Sequence, residues 1–301
     1  MDFRVQSTGG KFRIVLIIFL YDHDMSASII IRRLKSVGTP KKAKVLLGFF
    51  KTGKGQYGEG DVFLGVTVPE QRKIAKEFWE LPFVEIEKLL ASRYHEARLT
   101  GLLILTYAFE KADVRKKKEM YDFLLAHRSA MNNWDLVDVI APKIIGEYLW
   151  HAHPSVPKPG QLPSERGAGI RGSQNERETI YRFAKSEDLW ERRIAIVSTA
   201  TFIRAGQFSD TLAICETLLD DKHDLIHKAT GWMLREVGKR DESILRAFLD
   251  THASRMPRTM LRYAIERLSE RDRKRYMNVQ RTEDSDTIQK RPAKPGLERA
   301  V

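Results

Sequence analysis

A single cysteine in 301 residues excludes two classes of protein at once. One thiol cannot close an internal disulfide, which points to a reducing compartment. It also rules out an iron–sulfur cluster that needs four thiolates. Cys215 lies in the apolar stretch Thr211-Leu212-Ala213-Ile214-Cys215 and reads as a packed core thiol, not a nucleophile. Long hydrophobic runs are missing as well. The run from Ile14 to Tyr21 has eight apolar residues, against the ~20 that a membrane-spanning helix requires. Tyr21-Asp22-His23-Asp24 offers no small-residue cleavage site after it, so a secretory signal is not indicated. Residues 1–24 read as a non-essential leader ahead of Met25, with membrane attachment as the alternative.

Site signatures are sparse too. Gly53-Lys54-Gly55-Gln56-Tyr57-Gly58 lacks the Lys-Ser/Thr ending of a phosphate-binding loop. No Ser–His or Cys–His pair stands out. His223 and His227 are four apart but have no third ligand at a suitable spacing, so they read as capping and surface residues. No metal and no cofactor is expected.

What is abundant is positive charge. Lys and Arg number 52 against 40 Asp and Glu, and the excess is not confined to one tail. A polyanion such as nucleic acid is the expected partner, the alternative being a charge excess that only aids solubility.

From Pro69 to Leu268 apolar residues recur at intervals of three and four, and few runs alternate as strands do. Pro69 opens a helix through Trp79, Pro82 opens another, and Ser92-Arg93-Tyr94-His95 punctuates before a third through Phe109. Further helices are expected at about 114–128, 134–149, 176–186, 189–205, 208–219, 224–238, 241–253 and 258–268. The most apolar ones begin near Arg98, Trp134, Arg193, Lys228 and Arg262, in steps of 36, 59, 35 and 34 residues. Residues 151–173, rich in Pro and Gly, account for the long step and read as a flexible insert. With it removed, a two-helix unit repeats about five times. The expected fold is therefore all-α, a HEAT-like helical solenoid with a concave basic face, in an N-terminal part (25–150) and a C-terminal part (174–270). From Arg271 the apolar period ends, and residues 271–301 read as a disordered basic tail.

Three features carry chemistry. Asn132-Asn133-Trp134-Asp135-Leu136-Val137-Asp138 sets an indole and a carboxylate four residues apart on one helix face, ahead of the apolar Val139-Ile140-Ala141. An acid there costs free energy unless it is paired or used. Lys228, Trp232, Arg235 and Lys239 form a second stripe on the helix whose core stripe is Ile226, Ala229, Met233 and Val237. Cations with an indole among them suit a sugar–phosphate backbone, and the alternative is a solvated face with a stray Trp. Arg193 opens an otherwise apolar helix, where it can grip a phosphate or pair with an acid. Arg98, in the equivalent slot of an earlier repeat, shares that ambiguity.

Five segments, in order and at compatible spacing, resemble the AlkD-like DNA alkylation repair family over roughly Val45 to Leu268. They are Tyr57-Gly58-Glu59-Gly60-Asp61-Val62-Phe63-Leu64-Gly65-Val66, Asn133 to Asp138, Trp190 to Ile196, His227 to Gly238, and Met256 to Tyr263. The resemblance implies a HEAT-like glycosylase that removes cationic 3- or 7-alkylpurines from duplex DNA and leaves an abasic site. It implies Asp138 as the catalytic aspartate, with Trp134 and Trp232 as cleft aromatics. Arg193 would grip a phosphate, and Lys228, Arg235, Lys239 and Tyr57 would contact DNA, Tyr57 standing nearest to a further family aromatic. A shallow cleft that leaves the modified base outside any tight pocket is also implied. Such a protein would act as a monomer in the bacterial cytoplasm, at the nucleoid when bound to DNA. A non-catalytic HEAT-like binder of damaged or branched DNA is the alternative, and a scaffold for an acidic protein partner a third.

Overall fold

The computed structural model describes residues 25–152 and 176–279. The leader, almost all of the Pro/Gly-rich insert and the last residues of the expected tail lie outside them. Helices α1 (Ala27–Val37) and α2 (Pro40–Phe49) start where Ser26 and Thr39 hydroxyls accept from backbone N–H groups three residues on. Next come α3 (Val68–Glu77), α4 (Phe83–Leu90), α5 (His95–Lys111) and α6 (Val114–Ala126). Then α7 (Trp134–Ile140) runs into a π-helical turn (Ala141–Gly146) and α8 (Glu147–Ala152). After the insert follow α9 (Glu178–Ala184), α10 (Leu189–Ser198), α11 (Ala200–Arg204), α12 (Ser209–Thr217), α13 (Asp224–Arg240), α14 (Glu242–His252), α15 (Arg258–Ala264) and α16 (Glu270–Met277). The fold is all-helical; the one β-type pairing among the described residues is an isolated bridge between Val62 and Tyr94.

Packing runs from neighbour to neighbour. Helix α5 packs on α7, α7 on α10, α10 on α13 and α13 on α15, an order consistent with a helical-repeat fold. Helix α5 is buried on every face from His95 to Thr106, as an apolar helix flanked on both sides must be. One continuous core extends from Ala27 to Tyr276. Cys215 lies in it fully buried, and burial pushes its thiol pKa up, which suits an inert packed side chain.

Three expectations about helices change. The helix expected at 134–149 is interrupted by the π turn. Pro142 has no N–H to offer the carbonyl of Asp138, so the α ladder cannot continue there. Gly146 lets this turn lie against α10, since a Cβ on it would sit 2.4 Å from the Ser198 carbonyl oxygen. The helix expected at 189–205 breaks at Thr199. The hydroxyls of Ser198 and Thr199 donate to the carbonyls of Ile194 and Ile196 and draw them from a straight ladder. Most plainly, Arg271 does not begin a structureless tail. Helix α16 forms there, capped by Ser269, with the buried Tyr276 donating to Asp250 and with Arg246 paired to Asp272. Polar cross-links to the preceding repeat hold it, which an apolar period does not reveal.

Candidate active site

Asp138 projects from α7 one turn after Trp134 and meets Arg193 of α10. Arg193 Nε and Nη2 donate to its two oxygens at 2.9 and 2.8 Å. Arg193 Nη1 donates to the Leu225 carbonyl at 2.7 Å, in the first turn of α13. One guanidinium thus ties three successive inner helices. Arg193 is 5% exposed, whereas the Asp138 side chain is 20% exposed. Burial raises the Asp138 pKa above the ordinary carboxylate value, the Arg193 charge pulls it down, and nearby Asp135 adds to the rise. The arginine expected to grip a phosphate has these donors engaged by Asp138 and Leu225. Its guanidinium holds both carboxylate oxygens of Asp138 in this structure.

Trp134 turns toward the N-terminal helices. It stacks on Phe50 at 5.3 Å between ring centroids and meets Phe49 edge-on at 5.7 Å. Phe50 is buried and Phe49 is 59% exposed. Tyr57 crosses to the first turn of α10, its ring 6.2 Å from Trp190. Gly65 permits this N-terminal segment to close on itself: its φ is +79°, and a Cβ there would lie 2.2 Å from the Thr39 carbonyl oxygen. Phe49, Phe50 and Trp190 are aromatics that sequence reasoning passed over. A Phe-Phe pair on a short helix reads as core until the fold brings it to Trp134.

The stripe on α13 is not a row of free cations. Lys228 pairs with Asp224 at 2.7 Å, Lys239 with Glu236 at 2.7 Å, and Arg235 with Glu266. Trp232 Nε1 donates to the Glu236 carboxylate at 3.2 Å, leaving the half-buried indole beside these pairs. The Lys228 ammonium is held above its usual pKa by Asp224 first, with the phenols of Tyr263 and Tyr57 within Coulombic range. By contrast Lys41, Lys42, Lys44, Lys51 and Lys54 are exposed and make no ion pair among the described residues. His223 caps α13 by accepting from Leu225 N, and His227 bonds the Asp221 carbonyl oxygen.

A second buried cluster sits behind Trp134. His95 bridges Asp61 (Nδ1, 3.0 Å) and Asp135 (Nε2, 2.8 Å). Arg98 also donates to Asp61, and Asn133 Nδ2 does so at 3.1 Å. Burial alone would depress the His95 pKa, but its bonds to Asp135 and Asp61 outweigh burial and hold it at about 9. Burial likewise pushes Asp61 up, while His95, Arg98 and Asn133 hold it below the ordinary carboxylate range. Two cations and two anions therefore balance inside the core. Asn133 caps α7 through Trp134 N at 2.8 Å, so the cluster fixes where Trp134 and Asp138 begin. Glu96, fully buried next to His95, accepts from the backbone N–H groups of Leu64, Gly65 and Val66 and pins the loop that carries Tyr57. Sequence reasoning had treated His95 as punctuation.

Among the described residues the chain is all-helical, its helices pack from neighbour to neighbour as in a helical-repeat fold, and Asp138 is a partly exposed carboxylate held by Arg193. The model of the DNA alkylation repair enzyme family matches residues 30–268, and the chain belongs to that family. Among solved structures it is similar to a predicted DNA alkylation repair enzyme from Enterococcus faecalis, with 16% identity and a TM-score of 0.57. The match covers 77% of this chain and 97% of that one. At that identity the likeness speaks for the fold. A comparison with curated proteins finds no match.

Proposed function

We propose that the protein is a monofunctional DNA glycosylase that releases cationic 3- or 7-alkylpurines from duplex DNA and leaves an abasic site. The observation that carries this reading is the Asp138–Arg193 pair, in a chain of the DNA alkylation repair family. A purine alkylated on a ring nitrogen is already cationic and departs without a general acid. The sugar left behind is oxocarbenium-like and needs a fixed negative charge and an oriented water. Asp138 supplies the charge. Arg193 opposes the rise that burial imposes on its pKa and fixes both oxygens, while leaving part of the carboxylate open. Trp232, and Trp134 through its remaining surface, add cation–π stabilisation of about 0.5–2 kcal/mol each as charge develops. Tyr57, Lys228, Arg235 and Lys239 contact the DNA backbone in this reading, and the α2 lysines join them.

The test is release of 7-methylguanine or 3-methyladenine from methylated duplex DNA by wild type and by Asp138→Asn. Wild type releases base, and the variant binds DNA without releasing it. One observation favours a second reading, a non-catalytic binder of damaged DNA: both Asp138 oxygens are engaged by Arg193, as a purely structural cross-link requires. Damage-selective binding by wild type with no base release is its signature.

A further inference from the structure

Asp138 does not stand alone on α7. Asp135 lies one helical turn before it, which sets the two Cβ atoms about 5–6 Å apart on one face. Their side chains are only 20% and 14% exposed, so water screens the repulsion between the carboxylates poorly. Of the helices packed on α7, α10 brings Arg193 to Asp138 and α5 brings His95 to Asp135. Asp135 makes no other ion pair among the described residues.

The contacts of the His95 ring fix its charge. Nδ1 faces Asp61 at 3.0 Å and Nε2 faces Asp135 at 2.8 Å. A carboxylate only accepts, so both ring nitrogens carry a proton wherever the two acids are ionised. Asp61 is kept in that form by Arg98 and Asn133, which both donate to it. Burial would lower the His95 pKa, but its bonds to Asp135 and Asp61 hold it at about 9, and the ring is a cation at neutral pH. Glu96, next along α5, is taken up by the backbone N–H groups of Leu64, Gly65 and Val66.

Arg98, Asp61, His95, Asp135, Asp138 and Arg193 thus form a row in which Asp135 and Asp138 are the neighbours of like sign. We propose that His95 is a positioning residue for the reaction, acting through Asp135: its charge cancels that of Asp135 and leaves Arg193 to hold Asp138 as the anion that the departing sugar needs. The proposal rests on the reading of Asp138 as catalytic, and adds to it a residue that touches neither the substrate nor Asp138. Without the imidazolium, two adjacent carboxylates share the single cation Arg193, and one of them keeps its proton to higher pH. Burial already raises the Asp138 pKa, and Asp135 adds to that rise.

The experiment is a pH titration of the Asp138 carboxyl carbon by NMR, in protein carrying labelled aspartate and without DNA, the signal being assigned with Asp138→Asn. In His95→Gln the Asp138 midpoint moves to higher pH. Adding Asp135→Asn to that variant brings the midpoint back toward wild type, because the uncancelled charge has gone as well. A His95 needed only to seat α7 gives no such return. Should His95→Gln fail to fold, Asp135→Asn alone decides: His95 stays paired with Asp61, and the Asp138 midpoint falls. A midpoint unmoved in His95→Gln, a shift that persists in the double variant, or a midpoint that does not fall in Asp135→Asn overturns the role. The acid limb of base release follows the midpoint in each variant. The expected shifts in a protein that releases no base would sink the glycosylase reading alone, and base release by a protein whose Asp138 ignores His95 would sink this role alone.

Discussion

Two arginines, Arg98 on α5 and Arg193 on α10, stand near the starts of their helices, and each is paired with an aspartate from elsewhere in the chain. Arg98 and Asp61 are closed off with His95, Asn133 and Asp135, and Asp61 is 8% exposed. Arg193 and Asp138 stand with fewer partners, and the Asp138 side chain keeps 20% of its surface. The same pairing thus serves two ends. Buried and closed off by further partners, although Arg98 Nε has none, it locks a loop and a helix start. Left open on one side, it holds both carboxylate oxygens in place while part of the Asp138 side chain stays exposed. A buried pair is not by itself a source of stability, yet removing one partner strands the other.

The sharpest way to break the closed cluster is Asp61→Asn, which leaves Arg98 and His95 short of an anion. A loss of about 3–5 kcal/mol in urea unfolding is expected, with Asp138→Asn clearly milder because water can reach that site. Equal losses would erase the distinction between the two pairs.

Titration of His95 tests the same cluster at a smaller scale. Its folded pKa of about 9 stands above the 6.5 of an unperturbed histidine. The stability it contributes is therefore complete below pH 6.5 and lost as pH rises through 9. Unfolding free energy should fall by about 3 kcal/mol across that window at most. His95→Gln should flatten this slope, whereas Asp138→Asn should leave it in place.

On the open side, Arg193→Gln removes the charge that pulls the Asp138 pKa down. The acid limb of the base-release profile should move to higher pH. A limb that stays where it was would mean that Arg193 does not tune Asp138. The least effect belongs to the surface cations. Lys42→Ala with Lys44→Ala should lower the salt slope of DNA binding by about 2, near 0.9 for each phosphate that is no longer neutralised. Lys239→Ala should change it by less than about 1, because Glu236 already neutralises that lysine.

The helical class, most helix starts and Asp138 itself could be read from the chain, because prolines, capping residues and a period of three to four are local signals. The partner of Asp138 was not local. Arg193 stands 55 residues away, and its spacing equally allowed a phosphate. The basic stripe on α13 read as free although Asp224 and Glu236 stand on the same helix at pairing distance; only the partner of Arg235, Glu266 in the turn after α15, is far away in the chain. His95 was missed for the same reason, since Asp61 and Asp135 converge on it only when α5 packs on α7. Helix α16 escaped because ion pairs and one buried Tyr276 hold it. Long-range polar pairing has no period to betray it.

In the proposed mechanism the open pair is catalytic and the closed pair is not. Its most direct test is the release of 7-methylguanine from methylated duplex DNA by folded Asp138→Asn protein that still binds the duplex. A rate about 10²–10³-fold below wild type is expected. Release at the wild-type rate would contradict it.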